Sequence, residues 1–291
     1  MRREGPRVGF IGLGSQGAPM ARAIVEAGFP TTLWARRPES LEPFGGSAEI
    51  ADSPASLARR VDVIGVCVLA DADVEEVVVG EDGLLDGLRP GAVVAIHSTV
   101  HPDTCARVAT AVARVGADVL DAPVSGGAPA VEARRLLVMV GGDPGVLERA
   151  RPVLSSFGNP IVHLGPIGAG QMGKLVNNVL FTSTMSLAHQ AIRLASSLEL
   201  DPDALIAALS CGSSRSYALE TYRGFRTQLG VPGSPVEGVA MLLGKDLELL
   251  RGLEAARQVD AELLTDCAAA LIEEMAGRGA PPAPSERENG G

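Results

Sequence analysis

A β-like run, Arg7-Val8-Gly9-Phe10-Ile11, stops at Gly12-Leu13-Gly14-Ser15-Gln16-Gly17 and is followed at once by Ala18-Pro19-Met20-Ala21, the opening of an amphipathic helix. The first glycine permits a tight turn after a strand. The second lets bare backbone approach a pyrophosphate, and the third lets the helix pack closely on the strand. The helix N-terminus then offers unbonded N–H groups and the positive end of its dipole to an anion. Gly12, Leu13, Gly14, Ser15, Gln16 and Gly17 are therefore expected to hold the phosphates of a nucleotide. A glycine pattern alone is common in sequences; the strand before it and the helix after it give it weight.

The rest of the first half repeats that alternation. Strands are expected at 7–11, 31–34, 61–69, 92–96, 118–120, 136–140 and 161–164. Helices are expected at 18–27, 53–60, 74–79, 102–115 and 144–156, with Ser53 as an N-cap and Pro54 in the first helical position. The run at 61–69 is almost continuously apolar, as in a strand buried on both faces. Strands alternating with helices of this length predict a mostly parallel, doubly wound α/β sheet.

The pattern changes after Gly165-Pro166-Ile167-Gly168-Ala169-Gly170. No breaker interrupts residues 174–198; at about 1.5 Å per residue this is a helix of roughly 40 Å, long enough to join two domains. Asp201-Pro202 opens another helix, and 236–258 and 261–276 continue in the same period. The expected organisation is a nucleotide-binding domain over 1–167 and an all-α domain over 168–278. A tail rich in Pro, Gly and Glu, 279–291, is expected to be disordered.

Composition bounds the function. The chain has 291 residues, 46% of them hydrophobic and only 3% aromatic, so about two cores must be built from Ala, Val and Leu. A formal net charge of −10 argues against nucleic acid and anionic membrane as partners, which need basic surface. Apolar runs fall short of membrane-spanning length, and Met1-Arg2-Arg3 leads into a strand rather than a secretory apolar region. A cytoplasmic location is the expectation. Cys67, Cys105, Cys211 and Cys267 are not spaced as a zinc or redox pair. His97 and His101 straddle a turn containing Pro102, so no metal site is expected.

Three further segments carry chemistry. About 20 residues past the third glycine, an acidic residue would bind the ribose hydroxyls of NAD, whereas arginine suits the extra phosphate of NADP. The chain reads Trp34-Ala35-Arg36-Arg37-Pro38, favouring NADP with NAD still possible; the plain alternative is two solvated arginines. Asp121-Ala122-Pro123-Val124-Ser125-Gly126-Gly127 begins at a strand end, where ligands sit in such sheets. The Ser125 hydroxyl and the N–H groups of Gly126 and Gly127 can form a nest for a carboxylate, though an ordinary Gly-Gly turn would read the same. Lys174 and Asn178 are four apart, hence on one helical face. A partly desolvated lysine can exchange protons near neutrality, but most helical lysines are merely solvated.

In this order these strings, with Ser98-Thr99, Gly168-Ala169-Gly170-Gln171 and Lys245-Asp246, resemble the β-hydroxyacid dehydrogenase family of the 3-hydroxyisobutyrate dehydrogenase type, from residue 8 to about 250. The resemblance implies a Rossmann-type sheet followed by an all-α domain joined by a long helix. It implies an oxidoreductase moving hydride between nicotinamide and a small carboxylate-bearing hydroxy acid or semialdehyde acid. It makes Lys174 the catalytic acid/base and gives Ser125, Gly126, Gly127 and Asn178 to the substrate. It places Leu69, Ala70, Thr99 and Lys245 along the cofactor, and it implies a homodimer or homotetramer formed through the helical domain. The chain departs from the family pattern at Gln16, Ala35, Ala70, Val131, Arg134, Arg135 and Val239; Arg134 stands where glycine is usual and is a candidate anion contact. The rival readings are an imine reductase-like enzyme on the same scaffold and a non-catalytic nucleotide-binding protein. Members of both kinds usually lack the lysine.

Overall fold

A computed structural model of the chain describes residues 5–229, 231 and 234–277; the tail expected over 279–291 lies outside the described residues. The chain divides into two compact units, Met1–Lys174 and Leu175–Gly291.

In the first unit the chain forms, in order, β1 (Val8–Ile11), α1 (Gly17–Glu26), β2 (Thr31–Trp34), β3 (Glu49–Ile50) and α2 (Pro54–Ala58). It continues with β4 (Val63–Val66), α3 (Asp71–Val79), β5 (Val93–Ile96), α4 (Pro102–Ala113), β6 (Asp118–Asp121) and β7 (Val124–Ser125). Then come α5 (Gly127–Glu132), β8 (Leu136–Gly141), α6 (Pro144–Leu154), β9 (Gly158–Gly165) and the start of α7 (Ala169–Ser197). The strands join in the order β3-β2-β1-β4-β5-β6-β8-β7, with β9 on β8. Pairings from β3 through β6 are parallel, while β8 runs antiparallel to β6 and β7. Chain order reverses beside β1, between β2 and β4, which opens a crevice at the carboxyl ends of these strands.

The two-residue period of each strand builds a core on either side of the sheet. Phe10, Val63, Val93 and Leu120 pack with Met20 and Ile24 of α1 and Leu147 and Ala150 of α6. Ile11, Ile64, Val66, Val94 and Ile96 pack with Leu57 of α2, Val74 and Val78 of α3 and Val108 of α4. Local signals act as expected: the Ser53 side chain accepts from the Ser56 N–H at the start of α2, and Asp201 accepts from the Ala204 N–H at the start of the second unit's first new helix. Two elements escape a reading by local propensity. Gly126-Gly127 reads as a plain turn yet opens α5, and α7 starts at Ala169, among glycines that look like loop.

The second unit holds the rest of α7, then α8 (Pro202–Cys211), α9 (Tyr217–Arg226), α10 (Pro235–Arg257) and α11 (Glu262–Met275). Its core is Met185, Ile192, Ile206, Tyr222, Val236, Leu271 and Met275. Buried His189 ties three of its helices, with Nδ1 2.9 Å from the Tyr222 hydroxyl and Nε2 3.0 Å from the Glu274 carboxylate. Among the described residues no helix is long and apolar enough to cross a membrane.

Candidate active site

The glycine turn joins β1 to α1. A side chain at Gly12 or Gly17 would overlap backbone carbonyl oxygens, of Cys67 and of Gly12 respectively, so both glycines are demanded by close packing. Gly14 instead opens onto free space. No side chain caps the N–H groups of α1, and the buried Nε2 of Gln16 has no hydrogen-bond partner. Leu13 is buried and Ser15 exposed. The Ala18 N–H is taken by the Gly14 carbonyl at 2.9 Å, so what fits an incoming pyrophosphate is the bare backbone of the turn, the helix N-terminus and the orphaned buried amide.

Arg36 and Arg37 follow β2 and are exposed. Arg36 Nη2 lies 2.5 Å from Asp73 Oδ1 and 3.8 Å from Glu76 Oε2, both on α3. Leu69 and Ala70 follow β4, with Leu69 exposed; Ala70 donates its N–H to Asp73 Oδ2 at 3.0 Å. The Val68 N–H donates to Ser98 Oγ at 2.8 Å, and half-buried Thr99 follows Ser98. The ends of β1, β2, β4 and β5 thus bring the nucleotide-binding candidates of the first unit to one edge of the sheet.

Asp121, the last residue of β6, is fully buried. Its Oδ1 accepts the Gly168 N–H at 2.7 Å and its Oδ2 accepts the Gln171 N–H at 2.8 Å. One carboxylate therefore caps the first turn of α7, three residues before Lys174. Burial pushes the Asp121 pKa up, and the backbone N–H donors of Gly168, Gln171 and Gly170 oppose that rise. Gln171 makes the second attachment: Nε2 donates to the Ser98 carbonyl at 2.9 Å and Oε1 accepts the Val100 N–H at 3.1 Å. The helix that carries Lys174 is bolted to β6 and to the segment following β5 by buried polar contacts. A side chain at Gly170 would come within 2.6 Å of the Met139 carbonyl oxygen and 2.8 Å of Asp121 Oδ2. That glycine thus serves the seating of α7 on the sheet. Asp121 and Gln171 carry no role in the sequence reading beyond standing in the quoted strings.

Ser125 is half-buried on β7, and Gly126 turns the chain with φ 130° into α5. A side chain at Gly126 would stand 2.5 Å from Ala130 Cβ. A larger residue there breaks the turn itself, before any question of filling a carboxylate pocket. Arg134 lies beyond α5 at φ 52°, a backbone state that explains a usual glycine, and its guanidinium lies 4.0 Å from Glu26 of α1. The structure therefore turns this expected anion contact toward a carboxylate.

Lys174 is half-buried in the second turn of α7. In the helical unit Asn178 donates to Asp246 Oδ2 at 2.6 Å, and its Oδ1 accepts from Asn177 at 3.1 Å. Lys245 Nζ stands 3.8 Å from Asp246 Oδ1. Buried Asp246 is a residue that sequence reading left without a role, although it adjoins Lys245 in the quoted string.

His97 is sealed inside the first unit, stacked on Phe10 and edge-on to Phe157. Its Nδ1 lies 2.7 Å from the Ala122 carbonyl, next to the Ser125 turn. Burial pushes its pKa down from 6.5 to about 4. The folded protein therefore holds it neutral, while the unfolded chain takes up a proton below about pH 6.5. Stability is expected to be full above that pH and to fall by up to ~3 kcal/mol toward pH 4, at about 1.4 kcal/mol per pH unit. Denaturant melts at pH 7 to 5 check this window, above the range of ordinary carboxylates; a His97→Gln variant with an unchanged slope would acquit the imidazole. His101 is also engaged, its Nδ1 accepting the Asp103 N–H at 3.1 Å. Among the described residues no group of three or more His, Cys, Asp or Glu could hold a metal ion.

Residues 7–165 match the model of the NAD-binding domain of 6-phosphogluconate dehydrogenase, and residues 168–283 match that of the NAD-binding domain of NADP-dependent 3-hydroxyisobutyrate dehydrogenase. Mouse mitochondrial 3-hydroxyisobutyrate dehydrogenase is 34% identical over 78% of this chain and 68% of its own length. Among solved structures, Mycobacterium tuberculosis 3-hydroxyisobutyrate dehydrogenase with L-serine superposes with a TM-score of 0.79 at 28% identity, covering 94% of this chain and 95% of that one. Psf3 in complex with NADP+ and 2-OPP gives 0.78 at 27% identity, covering 91% and 92%.

Proposed function

Because this chain belongs to the β-hydroxyacid dehydrogenase family, in its 3-hydroxyisobutyrate dehydrogenase type, we propose that it interconverts a small hydroxy acid and the matching semialdehyde acid, with NADP preferred over NAD. The observation that carries this reading is the anchoring of the Lys174 helix by Asp121, whose strand leads four residues later to Ser125. A proton-transfer group and an anion-binding turn so share one rigid support, as catalysis by positioning requires.

Bound nicotinamide would supply the hydride acceptor or donor. Lys174 handles the proton: neutral, it takes it from the substrate hydroxyl during oxidation; protonated, it gives it to the carbonyl oxygen during reduction. The Ser125 hydroxyl and the N–H groups of Gly126 and Gly127 hold the substrate carboxylate. The family pattern assigns Asn178 to the substrate and Leu69, Ala70, Thr99 and Lys245 to the cofactor. Gly12 to Gly17 take the pyrophosphate, and Arg36 and Arg37 take the 2′-phosphate. None of the four cysteines is in a disulfide, which suits a reducing, cytoplasmic setting.

The test is NADPH turnover with short aldehyde-acids, their uncharged aldehyde and amide analogues, and cyclic imines, beside calorimetric titration of NADPH and NADH. Turnover confined to carboxylate-bearing substrates, with NADPH bound more tightly, is the expected result. Uncharged analogues used equally well would remove the carboxylate nest, and imines as sole substrates would replace the reaction class.

The helical unit supports the homo-oligomer. Leu180, Leu187 and Leu194 recur every seven residues along α7 and are 54%, 55% and 62% exposed. A groove beside them is lined by Leu263 and Cys267. A heptad-spaced leucine seam left in water is the side of a helix pairing, and a second copy supplies the same seam. Leu187→Glu is expected to shift a dimer or tetramer to monomer in light scattering; a wild-type chain that is monomeric at micromolar concentration would overturn this assignment.

A further inference from the structure

The nucleotide edge of the sheet contains one arrangement that the glycine turn and the arginines do not account for. Asp73 bridges two strand ends: Oδ1 takes the Arg36 guanidinium at 2.5 Å, and Oδ2 accepts the Ala70 N–H at 3.0 Å. The second bond holds the carboxylate in the first turn of α3, so it cannot swing clear of the β2 end. Glu76, one turn further on α3, stands 3.8 Å from the same guanidinium. Arg36 is 61% exposed, while Asp73 is only 21% exposed, so the arginine is the movable member of the pair. The hydrogen bond from Arg36 holds the Asp73 carboxyl below the usual carboxylate range, with the Ala70 N–H acting in the same direction. It is a full negative charge at neutral pH. A 2′-phosphate of about −1.5 to −2 charge must then compete with it for one guanidinium.

Resting on the reading of Arg36 as the 2′-phosphate residue, we propose that Asp73 is a cofactor-selecting residue, which occupies Arg36 in the nucleotide-free protein and thereby lowers the preference for NADP over NAD. A ribose without the phosphate makes no demand on the guanidinium, so NAD binding is indifferent to the pair. Glu76 acts in the same sense but more weakly, being longer, more exposed and farther away.

The experiment is a binding titration of NADPH and NADH into the wild type, Asp73→Asn, Arg36→Ala and the double variant. Asparagine keeps an oxygen for the Ala70 N–H and removes the charge; Asp73→Ser serves the same purpose should the first variant melt much earlier. NADPH affinity is expected to rise about tenfold in Asp73→Asn, with NADH affinity changed less than about twofold. The gain is expected to vanish in the double variant. An unchanged or weaker NADPH affinity, an equal gain for both nucleotides, or a gain that survives without Arg36 would overturn the proposal. A failure of the underlying reading looks different: Arg36→Ala alone then leaves NADPH affinity untouched.

Discussion

Lys174→Ala is expected to lower turnover at least about 100-fold, the usual scale for loss of a positioned acid/base, with cofactor affinity little changed. The two effects separate because the groups assigned to the nucleotide stand on the ends of β1, β2, β4 and β5 and, for Lys245, on α10, whereas Lys174 stands on α7. The fold should survive the change, since Lys174 is half-buried and lies outside the hydrophobic cores. Steady-state rates with the best substrate of the panel, beside an NADPH titration, provide the check. Near-normal turnover would remove Lys174 from the mechanism. A loss confined to KM would reduce it to a binding group.

Asp121→Asn is expected to destabilise the protein by about 2–3 kcal/mol and to depress kcat with it. Two opposing effects meet at this residue. Burial raises the cost of the ionised carboxylate, and an amide would relieve that cost. Both carboxylate oxygens, however, face backbone N–H donors, Gly168 and Gln171, so either orientation of the amide turns an NH2 group onto a donor. Asp121 has zero exposure to solvent. The donor–donor clash should therefore win, and the first turn of α7 should loosen. Chemical denaturation and kcat measured on the same preparation decide the matter. Equal or greater stability in the variant would mean that desolvation dominates and that Asp121 does not hold the helix.

What the chain announced by itself was local. The glycine turn, the Ser53 and Asp201 caps and the alternation of strand and helix each depend on residues a few positions apart and on the periods of 2 and 3.6. A doubly wound sheet followed by helices follows from those. The long helix was legible as an unbroken period, but not its start, because glycines at 168 and 170 look like loop until a distant carboxylate caps them.

The working parts of the site were decided elsewhere. Asp121 meets Gly168 and Gln171 across 47 and 50 residues of chain, Arg36 meets Asp73 across 37, and Asn178 meets Asp246 across 68. An aspartate at a strand end reads alike whether it caps a helix, binds a ligand or faces water. Only the strand order, which sets β6 beside the start of α7 and β2 near the start of α3, determines which of these it does. The sequence determines which groups are available and in what local shape. The tertiary structure determines which of them meet: burial among backbone donors makes the Asp121 carboxylate a structural bolt, and a hydrogen bond across two strand ends makes Asp73 a competitor for an arginine.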